Sequence, residues 1–183
     1  MTMHEDPPPQ APDLAEHAPS PLNLGGAARL LTDRDSIRAA GVELAAGARH
    51  ELLIFSPDLE PDLYDRQDFL AAVRQLALAR PWHPVRILVG EPQRAVNGGH
   101  RLIELSRRLS SRIAIRRVAE DFRDRADAFL IADGNGYCLR RRAERPEAVL
   151  ECQAPGPARR LRAEFEQIWE HSDEDTELRR LYL

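Results

Sequence analysis

His100 follows Gly98 and Gly99 at the point where a helical pattern begins, which makes it the first candidate for a reactive group. Glycines ahead of a helix leave backbone N–H groups free to hold an anion, with the imidazole beside them as base or nucleophile. The plainer reading is a flexible loop carrying an exposed histidine. Arg140, Arg141 and Arg142 form a run of adjacent guanidiniums, a second candidate for anion binding because of where it falls in the chain. On a strand such a run alternates faces, so one or two of the three can reach a common site. Salt bridges to Glu144, Glu147 or Glu151 would account for them equally well. A third group, Arg107, Arg108, Arg112, Arg116 and Arg117, reads as cations at a helix end followed by a half-exposed strand, or as a strip for phosphates. The carboxylates Asp58, Glu60, Asp62 and Asp65 lie too irregularly for a calcium loop, and capping of the next helix explains Asp65.

Composition removes several chemistries. All 26 basic residues are arginine. A Schiff base, a P-loop lysine and a lysine general base are therefore excluded, since arginine stays protonated. Two cysteines, Cys138 and Cys152, are too few for a zinc site or a disulfide framework, and a reduced pair is expected. No Gly-x-Ser-x-Gly, Cys-x-x-Cys or His-Glu-x-x-His occurs. No metal or cofactor is expected. The net charge of −4 gives no general attraction to nucleic acid, so any such affinity needs a local patch. No apolar run is long enough to span a membrane and none resembles a secretion signal, so a cytoplasmic protein is expected.

The elements that would position these groups can be read from periodicity. Residues 1–22 hold Pro7, Pro8, Pro9, Pro12, Pro19 and Pro21 and little aliphatic pattern, which reads as a disordered tail. From 23 to 183 the pattern is one domain. A helix over Asp33 to Ala48 starts at a Thr32 or Asp33 cap, and a buried strand Leu52 to Phe55 ends at Ser56-Pro57. A helix from Arg66 to Arg80, a strand Val85 to Val89, a glycine loop, a helix His100 to Leu109 and a strand Ile113 to Arg117 follow. Asp133-Gly134-Asn135-Gly136 between Ala128–Ala132 and Tyr137–Leu139 signals a hairpin. A strand at Ala148 to Cys152 and a helix from Ala158 to His171 complete an α/β sandwich with a mixed sheet flanked by helices.

At the hairpin the sequence resembles the phospholipase D superfamily. That family carries His-x-Lys-x-x-x-x-Asp-Gly on one strand, a return strand ending in Gly-Ser-x-Asn, and a closing helix with Phe-x-x-x-Trp. Here Phe129-Leu130-Ile131-Ala132-Asp133-Gly134 matches the first strand, Phe165 to Trp169 the helix, and Glu51 to Pro57 the family's first core strand. The similarity runs from about Thr32 to His171 and is to a half-domain of a bacterial group, some members of which follow an acetyltransferase domain. The resemblance implies a histidine nucleophile, with lysine and Ser/Asn holding the phosphoryl oxygens. Counting back from Asp133 puts Ala126 at the histidine position and Ala128 at the lysine position. Arg140-Arg141-Arg142-Ala143 stands where Gly-Ser-x-Asn would be, which is what makes the run a candidate for anion binding. Neither methyl group can attack or clamp, so a degenerate half-domain is expected, with Asp133 kept for the turn.

The expected function is that of a pseudoenzyme: a binding or regulatory module, homodimeric as halves pair in active relatives, with His100 and Arg140 to Arg142 as anion-binding residues. Its partner would be a protein, for example an acetyltransferase, or a phosphorylated small molecule; nucleic acid is disfavoured by the acidic charge. Two alternatives stand beside this: a phosphate-ester enzyme rebuilt around His100 and the arginines, and nucleic-acid binding along the arginine strip.

Overall fold

A computed structural model describes residues 27–174 and Leu178. The proline-rich stretch 1–22 lies outside the described residues, as do residues 175–177 and 179–183. The described elements are β1 (Arg29–Leu31), α1 (Arg34–Gly47), β2 (Leu52–Ser56), α2 (Pro61–Tyr64), α3 (Gln67–Ala79), β3 (Val85–Val89), α4 (Pro92–Asn97), α5 (Arg101–Arg108), β4 (Ile113–Arg117), β5 (Ala128–Ala132), β6 (Gly136–Arg140), β7 (Ala148–Glu151) and α6 (Pro155–His171).

The strands form one mixed sheet in the order β1-β7-β6-β5-β2-β3-β4. β2, β3 and β4 run parallel, joined by helical crossovers, and every other pairing is antiparallel. β5 is the seam, pairing with β2 on one side and β6 on the other. All five residues of β2, β5 and β6 are buried, because helices cover both faces of the sheet centre. Alternation then divides their side chains between two cores. Leu52, Ile54, Leu130 and Ala132 join Ile37 and Leu44 of α1 and Phe69 and Val73 of α3 on one face. Leu53, Phe55, Phe129, Ile131 and Tyr137 meet Leu161, Phe165 and Ile168 of α6 on the other.

Local chemistry sets the ends of these elements. Asp33 caps α1, accepting from the Ser36 N–H at 2.7 Å and the Ser36 hydroxyl at 2.6 Å, and these bonds lower its pKa. The hairpin turns through Asp133 and Gly134 with φ of 55° and 60°, the left-handed pair of a type I′ turn. Asp133 does more than turn the chain. Its carboxylate accepts from the backbone N–H groups of Arg49, His50 and Glu51 at 2.8, 2.7 and 2.9 Å, tying the α1–β2 loop to the hairpin.

Several boundaries differ from the sequence reading. α6 begins at Pro155, since a proline in the first turn needs no N–H partner there. The expected glycine loop before His100 holds the short helix α4, opened by Pro92 in the same way. Asp65 does not cap α3, whose N-cap is Arg66 without a side-chain bond; Asp65 instead accepts from Arg101 Nε at 2.5 Å. Among the described residues no helix is long and apolar enough to cross a membrane.

Candidate functional site

The chain bends away from the sheet after β2 and after β3, and the two departures lie against each other. Gly90 donates to the Ser56 carbonyl at 3.1 Å and Glu91 N to that of Pro57 at 2.6 Å. A Cβ on Gly90 would fall 3.0 Å from the Pro57 oxygen, so only glycine lets these strand ends approach so closely. β5 enters and β6 leaves the sheet at this same end, because both are antiparallel to the strand beside them. Together they enclose a cleft of about 350 Å³. Ligand sites in open α/β sheets form at this carboxyl end.

Ala126 and Ala143, the positions counted onto the family's histidine and asparagine, both line this cleft. Their backbones are bonded, Ala143 N donating to the Ala126 carbonyl at 2.7 Å. No histidine, serine, threonine, cysteine or tyrosine is among the lining residues. Arg94, Arg123 and Arg125 bring positive charge, and Asp58, Glu60, Glu91 and Glu144 bring negative. Most of the arginine charge is engaged: Arg123 pairs with Glu120, Arg125 with Asp127 and Glu164 while stacking on Phe55, and Arg94 reaches Asp58 at 3.7 Å. Burial, with the Glu60 charge adding to it, raises the Asp58 pKa against the pull of Arg94, Arg140 and Arg34.

Ala128, at the lysine position, is buried. Its cross-strand partner is Arg140, and beside them lies a void of about 20 Å³ bordered by Tyr64 and Cys138, room for one water. Arg140 is 2 % exposed. It forks onto both carboxylate oxygens of Glu60, with Nη1 at 2.7 Å from Oε1, and also donates to the Ala143 carbonyl at 2.7 Å. Burial alone would lower its pKa; the bonds to Glu60 outweigh this and raise it. Glu60 is also bound by Arg34, which itself forks onto Asp62 with both bonds at 2.8 Å. The same burial pushes the Cys138 thiol up to about 11, so it is an inert core group.

The other sequence candidates are placed as follows. Arg141 and Arg142 lie beyond β6 and are exposed; Arg142 reaches Glu144 only at 3.9 Å. The partner of Arg140 is thus Glu60, not Glu147 or Glu151, and Glu151 accepts from the Tyr137 hydroxyl at 2.5 Å. His100 is neither an exposed loop residue nor part of the cleft. It is 2 % exposed and caps α5, with Nδ1 accepting from the Leu102 N–H at 3.2 Å. Its Nε2 is buried without a hydrogen bond; the nearby Leu59 carbonyl and Asp65 favour its protonated form, yet burial outweighs them and lowers its pKa. No hydrogen bond or ion pair joins His100 to Arg140. The five-arginine strip does not form either. Arg116 stacks on the Trp169 ring at 4.5 Å, Arg107 donates to the Leu178 carbonyl, and Arg112 turns to carbonyls at the end of α3. Asp58 pairs with Arg94 and Asp65 with Arg101, while Glu60 and Asp62 share Arg34, and among the described residues no group of three or more acidic, histidine or cysteine side chains is placed to hold a metal.

Residues 33–181 match the family described as Domain of unknown function (DUF7931). The chain belongs to that family. No curated protein matches it. Among solved structures it is similar to Nuc, a phospholipase D family member from Salmonella typhimurium, with 14 % identity and a TM-score of 0.59 over 81 % of this chain and 97 % of that one. NucT from Helicobacter pylori aligns with 10 % identity and a TM-score of 0.56, over 81 % and 98 % of the two chains. TrmBL2, an archaeal chromatin protein with a novel mode of DNA binding, aligns with 14 % identity and a TM-score of 0.56, over 84 % of this chain and 56 % of its own. At these identities the likeness is one of fold, and the fold is phospholipase-D-like.

Proposed function

We propose that this domain is a phospholipase-D-like pseudoenzyme, which binds a partner at the old carboxyl-end cleft and does not hydrolyse phosphate esters. The observation that carries the reading is the lining of the cleft, where Ala126 and Ala143 sit side by side and no histidine replaces them. The groups there that can move a proton are carboxylates, and with four of them against three arginines the cleft has no net positive charge to draw in a phosphate diester. The buried cation nearest the missing lysine, Arg140, is neutralised by Glu60 and has no exposed face to offer. His100, the only candidate nucleophile of the rebuilt-enzyme alternative, is held inside as a helix cap.

Arginines and carboxylates mingle round the rim of the cleft, which suits a polar protein segment better than a compact phosphate dianion. The partner in this reading is a protein, and a phosphorylated metabolite comes second. A homodimer is part of the same proposal, supported by the pairing of half-domains that the family resemblance implies.

A thermal-shift screen of the full chain against phosphate, nucleotides, acyl-CoA and lipid headgroups tests the ligand side, since a ligand of the folded state raises the melting temperature by mass action. Ala126→Phe, at an exposed position, fills the cleft without touching the core. A shift abolished by Ala126→Phe places the ligand in the cleft, and phosphodiesterase turnover abolished by the same change would overturn the proposal. Light scattering at working concentration gives the oligomeric state, and a monomer mass removes the dimer.

A further inference from the structure

The opposite end of the sheet, where β2, β3 and β4 begin, is built from three interlocked loops. The guanidinium of Arg112 donates to the carbonyls of Ala77, at 3.4 Å, and Arg80. Arg80 Nε donates to the Arg49 carbonyl at 2.7 Å, and Arg49 Nη1 to that of Ala46 at 3.3 Å. Among the described residues none of these three cations is in an ion pair; every bond recorded for them ends on a backbone carbonyl. A guanidinium has five N–H donors, and one or two are used in each case. The helix ends offset part of this charge, about half a unit each. The carboxylate bonded into this region, Asp133, is taken up by three backbone N–H groups.

In the loop that follows Arg80 the chain presents Trp82, 85 % exposed, four residues after Leu78 at 55 %. Trp82 and His83 stand at φ 64° and 47°, two successive left-handed residues without a glycine, flanked by Pro81 and Pro84. Such conformations cost on the order of 1 kcal/mol or more each and persist where neighbouring contacts impose them. Here His83 supplies those contacts, its N–H reaching the Ser111 carbonyl at 3.3 Å and its ring Nε2 that of Ser110 at 3.0 Å. The loop is thus braced with its largest aromatic face turned to solvent, where burying it over Leu78 would gain apolar contact.

From this geometry we infer that the Trp82 end of the sheet binds single-stranded nucleic acid, a base stacking on the indole while Arg49, Arg80 and Arg112 meet the backbone phosphates. Stacking platforms set among unpaired arginines are the general means of holding unpaired bases without reading sequence. An indole can enter a duplex only by prising a base step apart, at a cost of about a few kcal/mol, whereas an unpaired base is free to stack on it, so single strands are the form recognised. This is the local patch that an acidic chain needs; it is separate from the cleft, and of the five arginines read as a strip in the sequence it takes in Arg112 alone.

The test is a titration of the full chain at low salt with a fifteen-residue oligothymidine, following tryptophan emission and gel mobility. Trp169, the other tryptophan, is clasped between Arg86 and Arg116, so quenching is assigned to Trp82. Expected are quenching, a mobility shift, and roughly tenfold or greater weakening in Trp82→Ala. The logarithmic salt slope should be about −2 for three phosphates, and less steep by about 1.4 in the double variant Arg49→Gln, Arg80→Gln. Melting temperatures of the variants confirm that they are folded. The inference is overturned by absence of binding, by unchanged affinity in Trp82→Ala, by loss of binding in Ala126→Phe instead, or by tighter binding to phosphatidylglycerol vesicles than to the oligonucleotide.

Discussion

Replacing Glu60 by leucine should destabilise the protein more than replacing Arg140 by methionine, although both changes break the same pair. Arg140 has 3 % of its side chain exposed and Glu60 has 13 %. Without Glu60 the guanidinium keeps one acceptor, the Ala143 carbonyl, and arginine cannot shed its charge by losing a proton. An orphaned buried charge of this kind costs about 3–5 kcal/mol. Without Arg140 the carboxylate still holds Arg34, and methionine refills most of the volume, so about 2 kcal/mol is expected. The double replacement removes both charges and should recover much of the loss, leaving about 1–2 kcal/mol. Urea unfolding read by far-ultraviolet circular dichroism gives the four corners of this cycle, with midpoints compared at constant m. In thermal melts, Glu60→Leu should fall by about 6–20 °C at 2–4 °C per kcal/mol. If Glu60→Leu were the milder single change, or if the two losses simply added, the account of Arg140 as a neutralised buried cation would be wrong.

His100 is held neutral by burial, so its stabilising contribution is complete above the ordinary histidine pKa of about 6.5 and is lost as pH falls below that value; urea midpoints at pH 7.5 and 5.5 should separate less in His100→Gln than in the parent chain. Asp58, whose pKa is raised, acts in the opposite sense and strengthens the fold on acidification, and Asp58→Asn should steepen the acid loss measured in the same way. Asp133→Ala removes an acceptor from three backbone N–H groups and should cost about 2–3 kcal/mol in urea unfolding, with Asp133→Asn losing about half of that. Reinstating the motif as Ala126→His with Ala128→Lys should give no turnover of a nitrophenyl phosphodiester. The lysine would enter a void of about 20 Å³ beside Arg140, at a cost above about 3 kcal/mol, visible as a lowered melting midpoint.

Much of the frame was legible in the chain. Leu52 to Phe55, Val85 to Val89 and Ala128 to Ala132 are apolar runs too short for helices, and Asp133-Gly134 announces its own turn because few other residues tolerate φ near 60°. The edge strand β1 was not legible. With Leu30 exposed and three residues in all, it has no alternation to read. The helices α2 and α4 are a turn or so long, and their one signal is a leading proline. At the site, counting from Asp133 picked out Ala126 and Ala143, two residues that line one cleft. Arg140 was misread because its partner, Glu60, lies 80 residues earlier in a different loop, and no local spacing encodes such a pair. Two glycines before His100 suggested exposure, whereas the ring folds inward to satisfy a helix N–H that any sequence leaves open. Arg94, Arg123 and Arg125 went unremarked because they come from α4 and from the loop before β5, which only the sheet brings together.

The position of β5 has a consequence for how the molecule comes apart. Within the sheet, a parallel half, β2 to β4, and an antiparallel half, β6, β7 and β1, are hydrogen-bonded to each other only through this one strand, with α1 and α6 packed across the join. Each half alone would expose a long unpaired edge and one side of a core, so neither is a plausible partly folded species. β5 therefore acts as the keystone of a single cooperative unit, and its amides should exchange with solvent only through global unfolding. Those of β1, bonded on one side at the rim, should exchange far sooner by local fraying.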